Sequence, residues 1–586
     1  MANFFHDNSD LTFIFSQLQL EPIVSLMENG FQPDETHAEV HGDYHEAMDY
    51  FETSLELLGT ICANDIAPKR QQIDEQGTQF VDGKVHYAKG SEQARQLLSE
   101  SGFMGAILPR EYGGAHVPAS IYMMMIEIVS RADASLMTMF GYQDVGELIA
   151  RFGTRAQSAR FLPQLASGEH IGAIVLSEPG AGSDLQSIRV KAHQNENGQW
   201  YLNGTKHFIS NGCGDVLMVL ARSEPEIDNI FGLSLFVCRG GDEVKVNRVE
   251  EKMGLHGSPT CELSFENAPC ELIGKRKFGL TKYILESLSQ ARFSVAAQAL
   301  GIAEGAYQSA LEYAHQRRQF GKNIIDIPAV ADLLLQMQVA LESSRALLYF
   351  GAYWLDVKVQ HENYIAAHKQ SGQDLKPKQK ILREAQQKSN LLSPMIKYVI
   401  TEAANRVCYN AQQIFGGMGY IKETGIEQLV RDVRITTIYE GTSQVQVAGS
   451  IKAVLADTLA GVFSEKSKRS SEYLANPEFC RLNEQVEQMR TMFLQCRDRV
   501  IERGDDYFTG ASAEGVVDCY AAMLASHLLQ DQIEQATSKD LQRRKYLLTK
   551  RYISESLAQT KALLSRLENN IYDDKNDKAL LFGTPE

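Results

Sequence analysis

Long hydrophobic runs are missing from this sequence: no stretch of about eighteen apolar residues occurs in its 586 positions, so no membrane-spanning helix is expected. Paired cysteines are missing too. Nine Cys are scattered at Cys62, Cys213, Cys238, Cys261, Cys270, Cys408, Cys480, Cys496 and Cys519. No two have C-x-x-C spacing, which points away from a zinc site or a redox dithiol and toward reduced thiols. Positive charge is in deficit, with 58 Lys and Arg against 74 Asp and Glu. The formal net charge of −16 argues against non-specific nucleic-acid binding. The start, Met1 to Phe15, carries acids where a secretory signal carries bases. The end, Gly583-Thr584-Pro585-Glu586, is neither a peroxisomal nor a prenylation tail. These absences leave a cytoplasmic location as the expectation.

What is present is an ordinary globular composition, 44% hydrophobic and 23% charged, in a chain too long for one core. Residues 1–45 read as a polar extension with short apolar patches and no sustained period. Residues 46–170 are helical in pattern, with Leu55, Leu58 and Ile61 at helical spacing and a Met- and Ile-rich segment from Ser120 to Val129. Over 171–281 the segments become short, β-branched and aromatic. There, Asn203-Gly204 between Trp200–Leu202 and Thr205–Ile209 predicts a two-residue hairpin turn. Further strands are expected at Val216–Leu220, Leu233–Val237 and Cys261–Phe265. Helical periodicity returns over 282–456, as in Ile284, Leu285 and Leu288, and continues over 457–586. That last region opens with a polar linker, Ser464 to Ser471, and offers Met489, Phe493, Leu524, Leu528, Leu547 and Leu564 as core. The expected fold class is α+β and multidomain: a helical domain, a middle β domain, a helical bundle and an additional helical domain.

Three segments carry candidate chemistry. Ser177-Glu178-Pro179-Gly180-Ala181-Gly182-Ser183-Asp184 lets backbone approach a ligand closely and offers N–H groups and hydroxyls to an anion. Phe208-Ile209-Ser210-Asn211-Gly212 puts an aromatic and a hydroxyl at a strand end, suited to a flat ring with polar edges. Glu440-Gly441-Thr442-Ser443 follows Gln413–Tyr420 and Arg431-Asp432 and leads into a helical pattern. Thr442 or Ser443 is a good N-cap, which places Glu440 on the bend beside free N–H groups. Taken singly, each has a plainer explanation: a turn, a strand end, a solvated Glu at a helix start.

Taken in this order and across these changes of pattern, the segments resemble the acyl-CoA dehydrogenase family from roughly Phe103 to Ile451. The landmarks are Ser177–Asp184, Phe208–Gly212, Arg317 with Phe320-Gly321, Gln413–Tyr420 and Ile438–Gln444. The ends resemble the long bacterial members more loosely. The resemblance implies a barrel-like middle domain between two helical ones, FAD as cofactor and an acyl-CoA substrate. It also implies an electron-transfer flavoprotein as acceptor and a homodimer or homotetramer.

Residue by residue, the resemblance implies flavin contacts from Leu176, Ser177, Gly182, Ser183, Phe208 and Ser210. Ser177 stands for a usual Thr, Phe208 for Trp and Ser210 for Thr. Arg317 and Phe320, with Gln413, Gly416 and Gly417, would serve the FAD of a neighbouring subunit, and Thr442 and Gln444 would contact FAD after the base. Ser183, Arg292 and Gly441 would lie on the substrate side. Glu440 matches the catalytic base, and the alternative site for a base, beside Arg292, is Ala291. Gln428 stands where a basic residue is usual, and the usual His near Ile327-Pro328 is absent. Two other readings remain at this point. One is an oxidase reoxidised by oxygen. The other is a non-catalytic, nucleic-acid-binding relative, favoured only by the basic cluster Arg543, Arg544, Lys545, Lys550 and Arg551, whose plainer explanation is a solvated helix face. That cluster could equally touch a membrane surface or another subunit.

Overall fold

The computed structural model describes residues 1–33, 40–369 and 372–569. The far end of the 457–586 region, with the C-terminal Gly583–Glu586, therefore lies outside the described residues. Helices fill 44–166, among them Tyr44–Ile61, Ala119–Ala132, Gln143–Phe152 and Arg155–Ala166. Seven strands over 172–273 follow, then the long helices Leu285–Gln316, Pro328–Ala367 and Lys376–Phe415, and last Pro477–Arg503, Asp506–Gln535 and Lys539–Glu568.

The middle strands close on themselves. Val216–Arg222 pairs with both Lys191–Gln194 and Leu233–Arg239, and the circuit runs on through Trp200–Ser210 and Thr260–Ile273. Closure removes the open edges that a small sheet would otherwise present. The expected turn at Asn203-Gly204 is not there. Trp200–Ser210 is one continuous strand, and the register against Thr260–Ile273 shifts at Leu202/Asn203, which marks a bulge. Gly204 has φ +133°, and a Cβ on it would sit 2.9 Å from Val190 Cγ2, so the glycine serves close packing inside a strand. A two-residue turn of the expected kind does occur at Asp82-Gly83, both at positive φ, between Gln79–Val81 and Lys84–His86.

The long helices pack so closely because Leu285–Gln316 buries small residues, Ala296, Ala299, Ala303 and Ala306 among them. A Cβ at Gly301 would meet Glu127 O at 2.3 Å, so only glycine lets this helix lie against Ala119–Ala132.

The two ends differ most from expectation. Within the expected polar extension, Ser9–Gln17 and Glu21–Met27 are helices whose Leu11, Phe15, Ile23 and Val24 are buried in the main core. The Ser464–Ser471 segment is no open linker. It includes the end of the helix Ala460–Lys466, and the Arg469 guanidinium is buried on Asp531 and Glu534 at 2.5 and 3.0 Å. Met489, Phe493, Leu524 and Leu528 are core as expected, but Leu547 is exposed and Leu563 is buried in place of Leu564.

The basic cluster is only partly a solvated face, since Arg543 and Lys550 are exposed and Lys545 is buried. Lys545 is 1% exposed on its side chain and bonds to Asp10 at 2.5 Å and Glu342 at 2.8 Å. Arg544 pairs with Glu342, Arg543 with Glu478, and Arg551 with Asp332 and Glu555. Arg544, Lys545 and Arg551 thus tie the last helix to Glu342, Asp10 and Asp332 of the body, so most of the charge that favoured nucleic acid is paired inside the protein. Among the described residues no single helix is long and apolar enough to cross a membrane.

Candidate active site

Glu440 reaches its cleft through a strained turn. Its φ is +54°, uncommon for a residue with a Cβ, and Gly441 follows at φ +98°. A Cβ on Gly441 would lie 2.6 Å from the Gln446 amide nitrogen, so this position needs glycine twice over. Gln446 Nε2 donates to Glu440 O at 2.8 Å and to Gly441 O at 3.1 Å. Lys397 Nζ donates to Gly441 O from the opposite side at 2.8 Å. Thr442 then caps Ser443–Leu455 by accepting from Val445 N, so of the two candidates it is the N-cap.

The cleft beside Glu440 encloses about 410 Å³ counted to its open mouth. Met137, Tyr142, Ile174, Val295 and Tyr439 give it walls, and Ala291 also lines it. Burial raises the Glu440 carboxyl above the usual Glu range, with the Arg292 and Lys397 cations opposing. Burial likewise drives the Lys397 ammonium down to about 8, against the pull of Glu440 and Glu402. Lys397 and Tyr142 were not among the expected site residues. The signal for Lys397 was available: it is a lone cation inside the apolar run Leu391–Ile400, on the face that the helical period buries.

At the barrel side, Glu178 N and Ala181 N donate to each other's carbonyls at 3.0 Å, folding the Gly-rich loop into a tight turn. Lys206 anchors it from the next strand, with Nζ 2.7 Å from Leu176 O and 2.8 Å from Glu178 Oε1. The loop thereby leaves Gly180, Gly182 and Ser183 exposed, with Ser177 half-buried and Leu176 buried. Phe208 lies where the register slips between Lys206 and Ile209; its φ is +57° and it is 60% exposed. His207 stacks on it at 4.0 Å. Ser210 pairs with the Tyr142 hydroxyl, tying this strand end to the cleft wall.

Other expected residues lie far from Glu440 in the same chain. Arg317 ends the helix that holds Arg292 near its start, twenty-five residues away, a span of about 37 Å. Phe320 is 89% exposed on the following turn. Gln413, Gly416 and Gly417 are exposed at the end of the Lys397 helix, about 24 Å beyond that lysine. Gln444 is exposed one residue after Ser443, and Gln428 is buried, donating to Asp432 Oδ2 at 3.3 Å.

Family models for the three parts of one enzyme match in order: acyl-CoA dehydrogenase N-terminal domain over 53–169, middle domain over 173–268, and C-terminal domain over 281–376 and 380–455. The chain belongs to the acyl-CoA dehydrogenase family. It is 32% identical to 3-methylmercaptopropionyl-CoA dehydrogenase of Ruegeria pomeroyi over 75% of this chain and 74% of that one. Butyryl-CoA dehydrogenase of Megasphaera elsdenii aligns with a TM-score of 0.59 at 30% identity, covering 70% of this chain and 98% of that one. An acyl-CoA dehydrogenase of Bacillus anthracis, solved with FAD, aligns with a TM-score of 0.75 over 89% of this chain and 88% of that one. At 22% identity the last shows shared fold alone, and that fold extends into the added helices.

As a member of this family the protein is a flavin-dependent oxidoreductase with FAD as its cofactor. Its residues fit that group. No atom lies within 4 Å of where a Cβ would stand at Gly180, Gly182, Gly416 or Gly417, which leaves open backbone at both candidate ends. Phe208 offers an exposed aromatic edge beside a hydroxyl. The buried Arg292 Nε has no hydrogen-bond partner among the described residues, so a polar group remains to be met inside the site.

Proposed function

We propose that the protein converts an acyl-CoA thioester to its trans-2-enoyl-CoA, with Glu440 removing the α-proton. The observation that carries this reading is the half-buried Glu440 carboxyl, its pKa raised by desolvation, on a locked turn at the wall of a cleft. A thioester α-proton is a very weak acid. Burial brings the carboxylate's basicity toward that of the developing carbanion, and the turn fixes its position. The Glu440 N–H polarises the thioester oxygen as negative charge develops there. FAD supplies the acceptor for the hydride that leaves the β-carbon. Leu176, Ser177, Gly182, Ser183, Phe208, Ser210, Thr442 and Gln444 would hold it in its own subunit, and Ser183, Arg292 and Gly441 would face the substrate.

Arg317, Phe320, Gln413, Gly416 and Gly417 would complete the FAD site of a second copy, a reading supported by their exposure at helix ends remote from Arg292 and Lys397. The active form is therefore a homodimer or homotetramer that passes electrons to an electron-transfer flavoprotein. The test is anaerobic mixing of the purified yellow protein with a panel of acyl-CoA thioesters. Bleaching of the flavin, then recovery on adding an electron-transfer flavoprotein, is the expected result. Recovery only with oxygen would make it an oxidase, and a flavin that no thioester bleaches would remove the reading.

Lys397 tunes the base. Its cation lowers the Glu440 pKa against the larger effect of burial, so removing it leaves the carboxyl protonated to higher pH. Lys397→Met is expected to move the pH of half-maximal flavin reduction upward by about one unit. A rate that falls equally at every pH would assign Lys397 a role in the turn alone.

A further inference from the structure

A second carboxyl faces the cleft that holds Glu440. Asp144 stands in the first turn of Gln143–Phe152, is 4% exposed and lines both this cleft and a smaller pocket of about 210 Å³ beside Arg151. Gln290 Nε2 donates to Asp144 Oδ1 at 2.9 Å, and among the described residues no other hydrogen bond or ion pair reaches this carboxyl. Arg151, the nearby cation, is engaged by Glu147, Glu286 and Glu362 at 3.5, 2.7 and 2.8 Å. One turn beyond Gln290 on the same helix face, Ser294 also lines the cleft, and its Oγ is buried without a partner. A half-satisfied acid and an orphan hydroxyl in a wall otherwise built by Met137, Ile174, Ala291 and Val295 are costly unless something bonds to them.

We propose that Asp144, with Ser294, selects an acyl group carrying a neutral hydrogen-bonding oxygen, such as a hydroxyl, over a plain alkyl chain. Burial, with the Glu147 and Glu440 charges, raises the Asp144 pKa well above the usual range, which favours the neutral acid, a form that can donate as well as accept. A carboxylate-tipped chain would bring a further negative charge beside Glu147 and Glu440. An alkyl tip would leave both polar groups unpaired. The hydrogen bond from Gln290 gives the acid a fixed direction and separates the cleft from the smaller pocket. An acid in a first helical turn also suits the helix dipole, but that role would affect every substrate alike.

The inference rests on the acyl-CoA reading above. It is tested with pairs of thioesters of equal length, four to eight carbons, in which the terminal methyl either stands or bears a hydroxyl. The readout is kcat/KM for flavin reduction by the FAD-loaded enzyme. Wild type is expected to prefer the hydroxylated partner at one length or more by about tenfold or greater. Asp144→Leu is expected to reverse that order, and Ser294→Ala, a small change in a buried helix, to narrow it by about threefold to tenfold. Asp144→Asn keeps a donor and is expected to retain the order. Equal or alkyl-favouring rates in wild type at every length overturn the inference. So do variants that slow both partners in the same proportion. No bleaching by any thioester removes the acyl-CoA reading and the inference with it, whereas bleaching without discrimination removes the inference alone.

Discussion

Glu440→Gln is expected to leave a folded, yellow protein whose flavin is no longer bleached at a useful rate, a loss of about 10²–10⁴-fold or more. The substitution removes proton-accepting ability and little else. Burial already disfavours the charged carboxylate, so a neutral amide of the same shape relieves a desolvation penalty and does not create one. The bonds that hold the turn, from Gln446 and Lys397, go to backbone carbonyls of Glu440 and Gly441 and survive the change. Stopped-flow absorbance with a good thioester reads the rate, and far-ultraviolet dichroism with flavin content reads the fold. Glu440→Asp should keep part of the activity, because a carboxylate remains but is withdrawn by one methylene. Near-normal reduction by the Gln variant would mean another residue is the base, and Ala291 cannot be it.

Arg345→Leu is expected to destabilise the protein by about 3–5 kcal/mol, the range for removing one partner of a buried ion network. Arg345 is 2% exposed and meets three carboxylates: Glu127 at 2.8 Å, Asp10 at 3.1 Å, and Glu304. Tyr349 donates to the other Glu127 oxygen at 2.7 Å, and Lys545 takes the other Asp10 oxygen. Four helices and the chain's first helix thus meet at one charge cluster, and a leucine would leave three acids facing each other in the core. Burial alone would raise Asp10, but Lys545 and Arg345 outweigh it and hold its carboxyl low. Its stabilisation is therefore present above the unfolded carboxylate range and lost as pH falls through the folded value. Chemical denaturation at neutral pH checks the first expectation. A midpoint unchanged from wild type would show that the cluster contributes nothing net.

These two substitutions separate what local sequence carries from what it does not. The bend at Glu440-Gly441 and the Thr442 cap were readable because they are adjacent in the chain, and their backbone requirements are local. The barrel strands at 216, 233 and 260 were readable for the same reason, since a short β-branched and aromatic run is a short-range signal. Asn203-Gly204 misled because its two residues do form a local irregularity. Whether that becomes a turn or a bulge depends on Thr260–Ile273 and Val190 lying alongside, and no short window contains them.

By itself the sequence carried the order of helical and β regions and the five landmarks, and hence the family. Tertiary structure decided the rest, because burial and charge pairing are set by residues hundreds of positions apart. Lys545 reads as a solvated cation until Asp10 is brought to it, and residues 1–33 read as a polar extension until Pro328–Ala367 gives their apolar patches a surface. Lys397 is one lysine in a helix until Glu440 arrives beside it, and Asp144 is an ordinary first-turn acid until helix packing closes a cleft around it. A side chain's chemistry follows from its surroundings, and here the fold alone supplies them.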